Sequence, residues 1–203
     1  MNFKPQKIGL LGGSFDPVHN AHIALARAAY AQLNLSTVRL IPVGEAWQKQ
    51  RTLTAAEHRI AMLELALQML GPWAQIDKIE TERNGPSYTI DTLDALDSAY
   101  GKQDWFWIMG TDQLANFCSW HRWEDLAARL TLAVAVRPQT AWKIPAALAA
   151  LAPRIQKISM PVLPVTATEI RSRVAQHQAF SHLVPEPIAQ YIANHDLYHK
   201  VNG

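Results

Sequence analysis

The sequence has little cysteine and no long apolar run. Its single cysteine, Cys118, has no partner for an internal disulfide, and one thiol without neighbouring ligands does not make a zinc site. No run of about 18 apolar residues occurs, which excludes a membrane-spanning helix. The nearest approach, residues 141–153, is short and contains Lys143 and Pro145. These absences predict a protein of the cytoplasm without a membrane partner.

An excess of charge is also missing. Lys and Arg number 19 and Asp and Glu 17, a net charge of +2 over 203 residues. Such a balanced surface lacks the basic stripe that duplex nucleic acid needs, so nucleic acid is not an expected partner. Hydrophobic residues make up 49% of the chain and charged residues 18%, which suits a folded core and not a disordered chain. The length and the absence of repeats or linkers predict one domain, residues 1–203.

Short apolar runs alternate with amphipathic segments along the chain. The runs predict buried strands at 8–11, 37–43, 76–79, 105–109, 130–136 and 155–159. The amphipathic segments predict helices from 22 to about 33, after 54 to about 70, and at 89–99, 112–117, 123–128, 168–177 and 187–194. Thr54 and Glu57 have capping-box spacing, so Thr54 is expected to cap the second helix.

This alternation predicts the fold class. Strands that alternate with helices throughout a chain form an α/β fold, here a Rossmann-like, doubly wound parallel sheet. Ligands of such sheets bind at the carboxyl ends of the strands, where the strand order reverses. Residues that follow the predicted strands are therefore the first candidates for a functional site.

The segment after the first strand, residues 12–22, reads GGSFDPVHNAH. It matches neither G-x-G-x-x-G nor G-x-x-x-x-G-K-[ST]. Glycines still let backbone N–H groups approach phosphates, and a helix N-terminus favours negative charge. His19 and His22 are three residues apart and so share a helix face. Each feature alone has an ordinary structural explanation, but together they predict an anion site, and two histidines without a third ligand argue against a metal site.

A second candidate segment spans residues 165–173. Thr166 and Glu169 have capping-box spacing, so the simplest interpretation is a well-capped helix whose arginines are solvated. Hydroxyl groups at a helix start, followed within a turn by Arg171, also supply amides, dipole and guanidinium to one anion. We therefore expect phosphate binding here.

Together the two segments resemble the nucleotidyltransferase superfamily with (H/T)xGH and ISSTxIR motifs, and within it the bacterial nicotinate-nucleotide adenylyltransferases. Ala21 stands where the family's first motif usually has Gly, and Thr166-Ala167-Thr168 replaces Ser-Ser-Thr. Further segments that support the resemblance are residues 42–49, 57–59, 83–93, 110–112, 120–123 and 136–138.

The resemblance implies a single-domain fold of the HxxH nucleotidyltransferase type, with C-terminal helices from about residue 166 completing the ATP phosphate site. It implies transfer of AMP from ATP to nicotinate mononucleotide, giving nicotinate adenine dinucleotide and pyrophosphate in NAD biosynthesis. Mg²⁺ would arrive with ATP, no metal would be held by protein ligands alone, and the protein would be a monomer or homodimer.

The resemblance also assigns residues to roles. The catalytic residues would be His19, His22 and Arg171. ATP would be bound by Gly12, Gly13, Ser14, Phe15, His19, His22, Gly110, Asp112, Thr168 and Arg171. Nicotinate mononucleotide would be bound by Asp16, Lys49, Tyr88, Thr89, Trp120 and His121.

Several assignments leave alternatives. Asp16 could instead fix its loop, and Asp112 could face either nucleotide. Trp105 and Trp107 lie within a predicted strand, so we expect them to pack in the core. The acceptor could also be nicotinamide mononucleotide or phosphopantetheine, or the protein could bind nucleotides without catalysis. Residues 87–89 and Trp120 favour the nicotinate acceptor.

Overall fold

A six-stranded parallel sheet forms the centre of the computed structural model, which describes residues 5–45, 52–136, 143–151, 153–161 and 163–199. The strand order is β3-β2-β1-β4-β5-β6, and every neighbouring pair is parallel. The predicted doubly wound parallel sheet is confirmed. The strands are β1 (Lys7–Gly13), β2 (Thr37–Pro42), β3 (Ala74–Ile76), β4 (Asp104–Gly110), β5 (Thr131–Val136) and β6 (Arg154–Ser159).

Helices cover both faces of this sheet. They are α1 (Asn20–Leu33), α2 (Ala56–Leu70), α3 (Thr89–Tyr100), α4 (Thr111–Ala115), α5 (Trp123–Arg129), α6 (Ala146–Ala150), α7 (Ala167–Ala175) and α8 (Glu186–Asn194), with 3₁₀ turns at Phe117–Ser119 and Ser181–Leu183. None of the helices in the described ranges has the length and hydropathy to cross a bilayer.

Two hydrophobic cores result, one on each side of the sheet. Leu11 and Leu40 pack with residues of α1, α2, α7 and α8, whereas their neighbours Leu10 and Ile41 pack with residues of α3, α4, α5 and α6. Successive side chains of a strand point to opposite faces. Because both faces are covered, the central strands are continuous apolar runs and not alternating ones.

The strand order reverses between β1 and β4. From β1 the chain passes through α1 to β2 on one side, and it returns later to pair β4 on the other side. Pairing between β1 and β4 runs only from Lys7–Asp104 to Leu10–Trp107, while β1 stays paired with β2 as far as Gly13 and Pro42. A crevice therefore opens beyond Leu10, at the position where such folds bind ligands.

Two local predictions are wrong. The third strand was expected at residues 76–79 but ends at Ile76, because the carboxylate of Asp77 accepts a hydrogen bond from the N–H of Ile79 (3.2 Å) and turns the chain. The expected capping box of Thr54 is also absent. Ala55 is the N-cap of α2, and Thr54 instead donates its N–H to Asp16.

Candidate active site

The crevice at the switch point contains a cavity of about 450 Å³, a size typical of small-molecule sites. Both apolar and polar groups line it. They come from the ends of β1, β2 and β4, from the start of α1 and α3, and from the segments that precede α3 and α5. The lining residues are Leu11, Gly12, Gly13, Ser14, His22, Leu25, Val43, Glu80, Ser87, Tyr88, Thr89, Trp107, Gln113, Trp120 and His121.

Gly12 and Gly13 are the last residues of β1. A Cβ atom on Gly12 would lie 3.0 Å from Cζ2 of Trp107, and one on Gly13 would lie 3.2 Å from Cζ of Phe15. Side chains at these positions would crowd both rings. Glycine therefore leaves bare backbone at the cavity wall, where a phosphate group can come close.

Phe15 turns the chain away from the sheet. Its backbone has a φ of 46°, and its side chain is buried at 1% exposure with the ring edge-on to that of His22 (centroids 5.0 Å apart). The side chain thus belongs to the core beneath the histidine. Only the backbone of Phe15 is suited to meet a nucleotide.

His19 and His22 lie side by side at the start of α1. His19 is the N-cap residue, and its ring stacks on that of His22 with centroids 3.8 Å apart. The backbone N–H of His19 donates to Nδ1 of His22 (3.3 Å). A neutral imidazole that accepts at Nδ1 carries its proton on Nε2. His22, which lines the cavity, is therefore a hydrogen-bond donor at the helix N-terminus.

The ring of His19 is held in its neutral form. Burial lowers the pKa of His19 to about 4, and the residue is only 6% exposed. Its Nδ1 atom is buried without a hydrogen-bond partner within the described part of the chain. Buried polar atoms are normally paired, because an unpaired one costs about 1–3 kcal/mol. A phosphate oxygen next to this ring would both pair the nitrogen and raise its pKa.

The structure brings the two sequence segments together. Nη1 of Arg171 on α7 donates to the backbone carbonyl of Asp16 (2.7 Å), and Nη2 donates to Oγ1 of Thr168 (3.2 Å). Thr166 caps α7 as predicted, since its Oγ1 accepts from the N–H of Glu169 (3.1 Å). Arg173 turns away and pairs with Glu169 (2.9 Å). Arg171 is thus the arginine of α7 that reaches the first loop.

Asp16 fixes the loop between β1 and α1 through its buried carboxylate. Its carboxylate is completely buried and accepts from the N–H of Thr54 (3.3 Å) and from the hydroxyl of Tyr198 (2.8 Å). Burial and the neighbouring charge of Asp16 raise the pKa of Tyr198, so the phenol keeps the proton that it donates. The structure places Asp16 outside the cavity wall, which fits the loop-fixing alternative better than a ligand contact.

Arg59 is a structural residue of the site; its segment supports the resemblance, but no role was assigned to it from the sequence. It is 2% exposed, and its guanidinium donates to the carbonyls of Thr54 (2.8 Å), Ser14 (3.0 Å) and Val43 (2.9 Å). These bonds join the chain segments that follow β1 and β2. One buried cation therefore fixes two loops at the mouth of the crevice.

Four residues predicted to bind the acceptor also line the cavity. Tyr88 and Thr89 lie at the N-terminus of α3, and the ring of Tyr88 is 4.6 Å from that of His121. Trp120 contacts Trp107 edge-on, with centroids 5.9 Å apart. All four predicted residues therefore belong to one cavity.

The two tryptophans of β4 have different roles. Trp105 is 3% exposed, and its Nε1 donates to Asp97 (2.7 Å), as expected for a core residue. Trp107 is also buried at 5% exposure, but its edge forms part of the cavity wall. Core packing therefore describes Trp105 fully and Trp107 only in part.

Other predicted residues lie outside the cavity wall. Gly110 ends β4, and its N–H donates to Oε1 of Gln113 (3.1 Å), which lines the cavity where Asp112 was expected. Asp112 is exposed to solvent. Lys49 lies outside the described residues. The remaining predicted residues that do not line the cavity are Phe15, Asp16, His19, Thr168 and Arg171.

Three polar residues line the cavity without having been assigned as binding residues from the sequence: Glu80, Ser87 and Gln113. Ser87 stands directly before the predicted Tyr88 and Thr89, so its position could have indicated it. Glu80 lies earlier in the chain, in the loop before Tyr88 and Thr89, and residue periodicity does not predict the path of a loop. Gln113 adjoins the predicted Asp112, and helix rotation decides which of the two faces the cavity.

The arrangement defines a class of protein. A parallel sheet with glycines, a helix N-terminus and paired histidines at its switch point is a nucleotide-binding α/β fold. The cytidylyltransferase-like family model matches residues 10–173.

Known proteins give the same result. A probable nicotinate-nucleotide adenylyltransferase of Bordetella pertussis is 50% identical over 196 residues, covering 95% of this chain and 98% of the relative. One of Albidiferax ferrireducens is 43% identical over 204 residues, with 95% and 98% covered. The nicotinic acid mononucleotide adenylyltransferase of Plasmodium falciparum, solved in complex with NaAD, has the same fold at a TM-score of 0.76 and 19% identity, with 96% and 98% covered. The chain therefore belongs to the cytidylyltransferase-like family and, within it, to the nicotinate-nucleotide adenylyltransferases.

Proposed function

We propose that this protein catalyses the transfer of AMP from ATP to nicotinate mononucleotide, releasing pyrophosphate and forming nicotinate adenine dinucleotide for NAD biosynthesis. One observation carries the proposal. A single cavity is lined both by the bare glycine backbone with His22 and by Tyr88, Thr89, Trp120 and His121. The groups proposed to bind ATP and those proposed to bind the acceptor therefore meet in one cavity.

The chemistry requires positioning and charge stabilisation more than proton transfer. The attacking phosphate monoester has a second pKa near ~6, so it is largely dianionic at neutral pH and needs no general base. Charge grows on the α-phosphate of ATP and on the departing pyrophosphate as the bond breaks. Fixed donors and cations stabilise that charge at no cost of reorganisation.

His22 is the donor to the α-phosphate in this mechanism. Its Nδ1 is occupied by the N–H of His19, so the Nε2 proton serves the phosphate oxygen that gains charge. His19 adds its unpaired ring nitrogen to the neighbouring phosphate oxygens. The amides of residues 13–15 and the dipole of α1 contribute further positive potential.

Thr168 and Arg171 hold the β- and γ-phosphates. Arg171 already bonds the first loop through the carbonyl of Asp16. A guanidinium has five N–H donors, so one arginine can bind a loop and phosphate oxygens together.

Magnesium enters with the triphosphate. In the described ranges, no three His, Cys, Asp or Glu side chains are grouped to hold a metal ion. A Mg²⁺ ion brought by ATP would keep several waters and be held through the substrate phosphates. It would supply positive charge to the leaving pyrophosphate. His22, His19 and Arg171 supply the protein's share of that stabilisation.

The acceptor lies against Tyr88, Thr89, Trp120 and His121 of the cavity lining. Backbone amides at the N-terminus of α3, beside Tyr88 and Thr89, suit the nicotinate carboxylate. Trp120 stacks on the pyridine ring, and His121 closes over it. Contacts of Lys49 and Asp112 with a substrate, the cytoplasmic location, and the monomeric or homodimeric state stay predictions.

Product analysis tests the proposal. The protein with ATP, Mg²⁺ and nicotinate mononucleotide should release pyrophosphate and form a dinucleotide in equal amounts, as measured by coupled phosphate assay and mass spectrometry. Omission of the acceptor should abolish pyrophosphate release. Release of pyrophosphate without a dinucleotide would show hydrolysis of ATP and contradict transfer.

A further inference from the structure

Glu80 is a buried carboxyl group that the proposed reaction does not use. It is 6% exposed and lines the cavity, together with Ser87, Tyr88 and Thr89. Buried carboxyl groups are rare unless they are paired, because losing water disfavours the charged form. Its presence beside a proposed binding site for an anionic ring therefore calls for a function.

Hydrogen bonds fix the carboxyl group of Glu80 in place. Oγ1 of the fully buried Thr92 donates to Oε1 of Glu80 (2.8 Å). Ser87 also bonds the carboxyl group, and its Oγ accepts from the N–H of Gly44 (3.1 Å). The hydroxyl of Ser87 is therefore oriented to donate to Glu80.

The backbone around Glu80 is equally constrained. A Cβ atom on Gly44 would lie 2.0 Å from the carbonyl oxygen of Glu80, so the two backbones pack directly against each other. The N–H of Ser87 donates to the carbonyl of Glu45 (3.1 Å). The carboxyl group thus cannot move away from a ligand without disturbing the segment that carries Tyr88 and Thr89.

Burial dominates the electrostatics of Glu80. It raises the pKa of Glu80 to about 7, with Asp77 adding to the rise, while the bonds from Thr92 and Ser87 and the charge of Arg83 oppose it. Nη2 of Arg83 donates to Oγ1 of Thr92 (3.3 Å), the same hydroxyl that donates to Glu80, so the charge of Arg83 is separated from the carboxyl group by Thr92. The other titratable groups of the cavity lining are Tyr88, His121 and His22.

We propose that Glu80, which is buried in the cavity lining and fixed by Thr92 next to the segment of Tyr88 and Thr89, is a specificity-determining residue for the ring carboxylate of the acceptor. This inference rests on the proposed function. An ionised Glu80 and the ring carboxylate would repel each other in a desolvated cavity, where charges are poorly screened. A nicotinamide ring has a neutral amide in place of the carboxylate and would not sense the change.

The pH dependence of acceptor preference follows in sign and size. With a pKa of about 7, the protonated fraction of Glu80 falls about tenfold between about pH 6 and about pH 8. The ratio of kcat/KM for nicotinate over nicotinamide mononucleotide should therefore fall about tenfold over this range. Both acceptors carry the same phosphate, so its own titration cancels in the ratio.

Two variants complete the test. In Glu80→Gln the ratio of kcat/KM values should be constant with pH, because no charge develops at residue 80. The control is Glu82→Gln, which removes an exposed carboxylate from the same loop and should keep the wild-type slope. A wild-type ratio that changes less than about twofold, or a Glu80→Gln ratio that keeps the slope, would overturn the proposal. A flat wild-type profile would overturn the proposal even if the variant does not fold. Failure of the proposed function would appear differently, as no turnover of nicotinate mononucleotide at any pH.

Discussion

Replacement of His22 by alanine is expected to lower kcat by about 10²–10³-fold, the usual loss on removal of one transition-state donor. The reason is local, since His22 lines the cavity with its Nδ1 already bonded to the N–H of His19. Its remaining N–H would meet the α-phosphate most strongly when charge develops. Steady-state kinetics with saturating ATP and acceptor measure the change.

The control is His182→Ala, which removes an exposed histidine outside the cavity lining. Its kcat should stay within about twofold of the wild type. His22→Gln keeps a side-chain N–H and should recover part of the lost rate. A loss confined to KM, with kcat unchanged in His22→Ala, would contradict a role in the transition state.

Replacement of Trp120 by alanine is expected to raise KM for the acceptor about 10- to 100-fold, because stacking of a base on an aromatic ring contributes about 1–3 kcal/mol. Trp120 is half-buried in the cavity wall, held edge-on by Trp107 and in contact with Phe117. Affinity for ATP should be nearly unchanged. Calorimetric titration of each nucleotide, beside steady-state kinetics, separates the two sites.

Trp123→Ala is the matched control. Trp123 packs against the same hydrophobic core as Trp120, but it does not line the cavity. It should lose thermal stability to a similar extent and keep its acceptor KM. Equal weakening of ATP and acceptor binding in Trp120→Ala would instead indicate a packing role for this residue.

The sheet was predictable because its strands are buried on both faces. Residues such as Leu10, Leu11, Leu40 and Ile41 form short continuous apolar runs, and these are the runs that define the parallel core. The end of β3 was not predictable. It depends on the side chain of Asp77, which both turns the chain and pairs with Arg39 on the neighbouring strand.

The candidate site was predictable where its residues are adjacent in the sequence. His19 and His22 share one helix turn, so their spacing placed them together, whereas Tyr88 and Thr89, at the start of α3, were assigned through the family resemblance. Long-range partners were not predictable in this way. Arg59 bonds carbonyls of three separate segments, and no local pattern reveals such contacts.

Roles that depend on burial were also inaccessible to the sequence. Asp16 looks like a ligand residue in its motif, yet the structure buries it between Thr54 and Tyr198. Tyr198 lies 182 positions away in the chain. In the sequence, Glu80 looks like any other acidic residue of the surface. Only the folded structure shows that it is buried in the cavity lining.

A comparison of three acceptor substrates tests whether the protein transfers AMP to nicotinate mononucleotide. Pyrophosphate release is measured with ATP, Mg²⁺ and, separately, nicotinate mononucleotide, nicotinamide mononucleotide and phosphopantetheine at one pH near about 7. We expect the highest kcat/KM for nicotinate mononucleotide. Faster turnover of either other acceptor, or tight binding of ATP with no turnover of any acceptor, would contradict the proposed function.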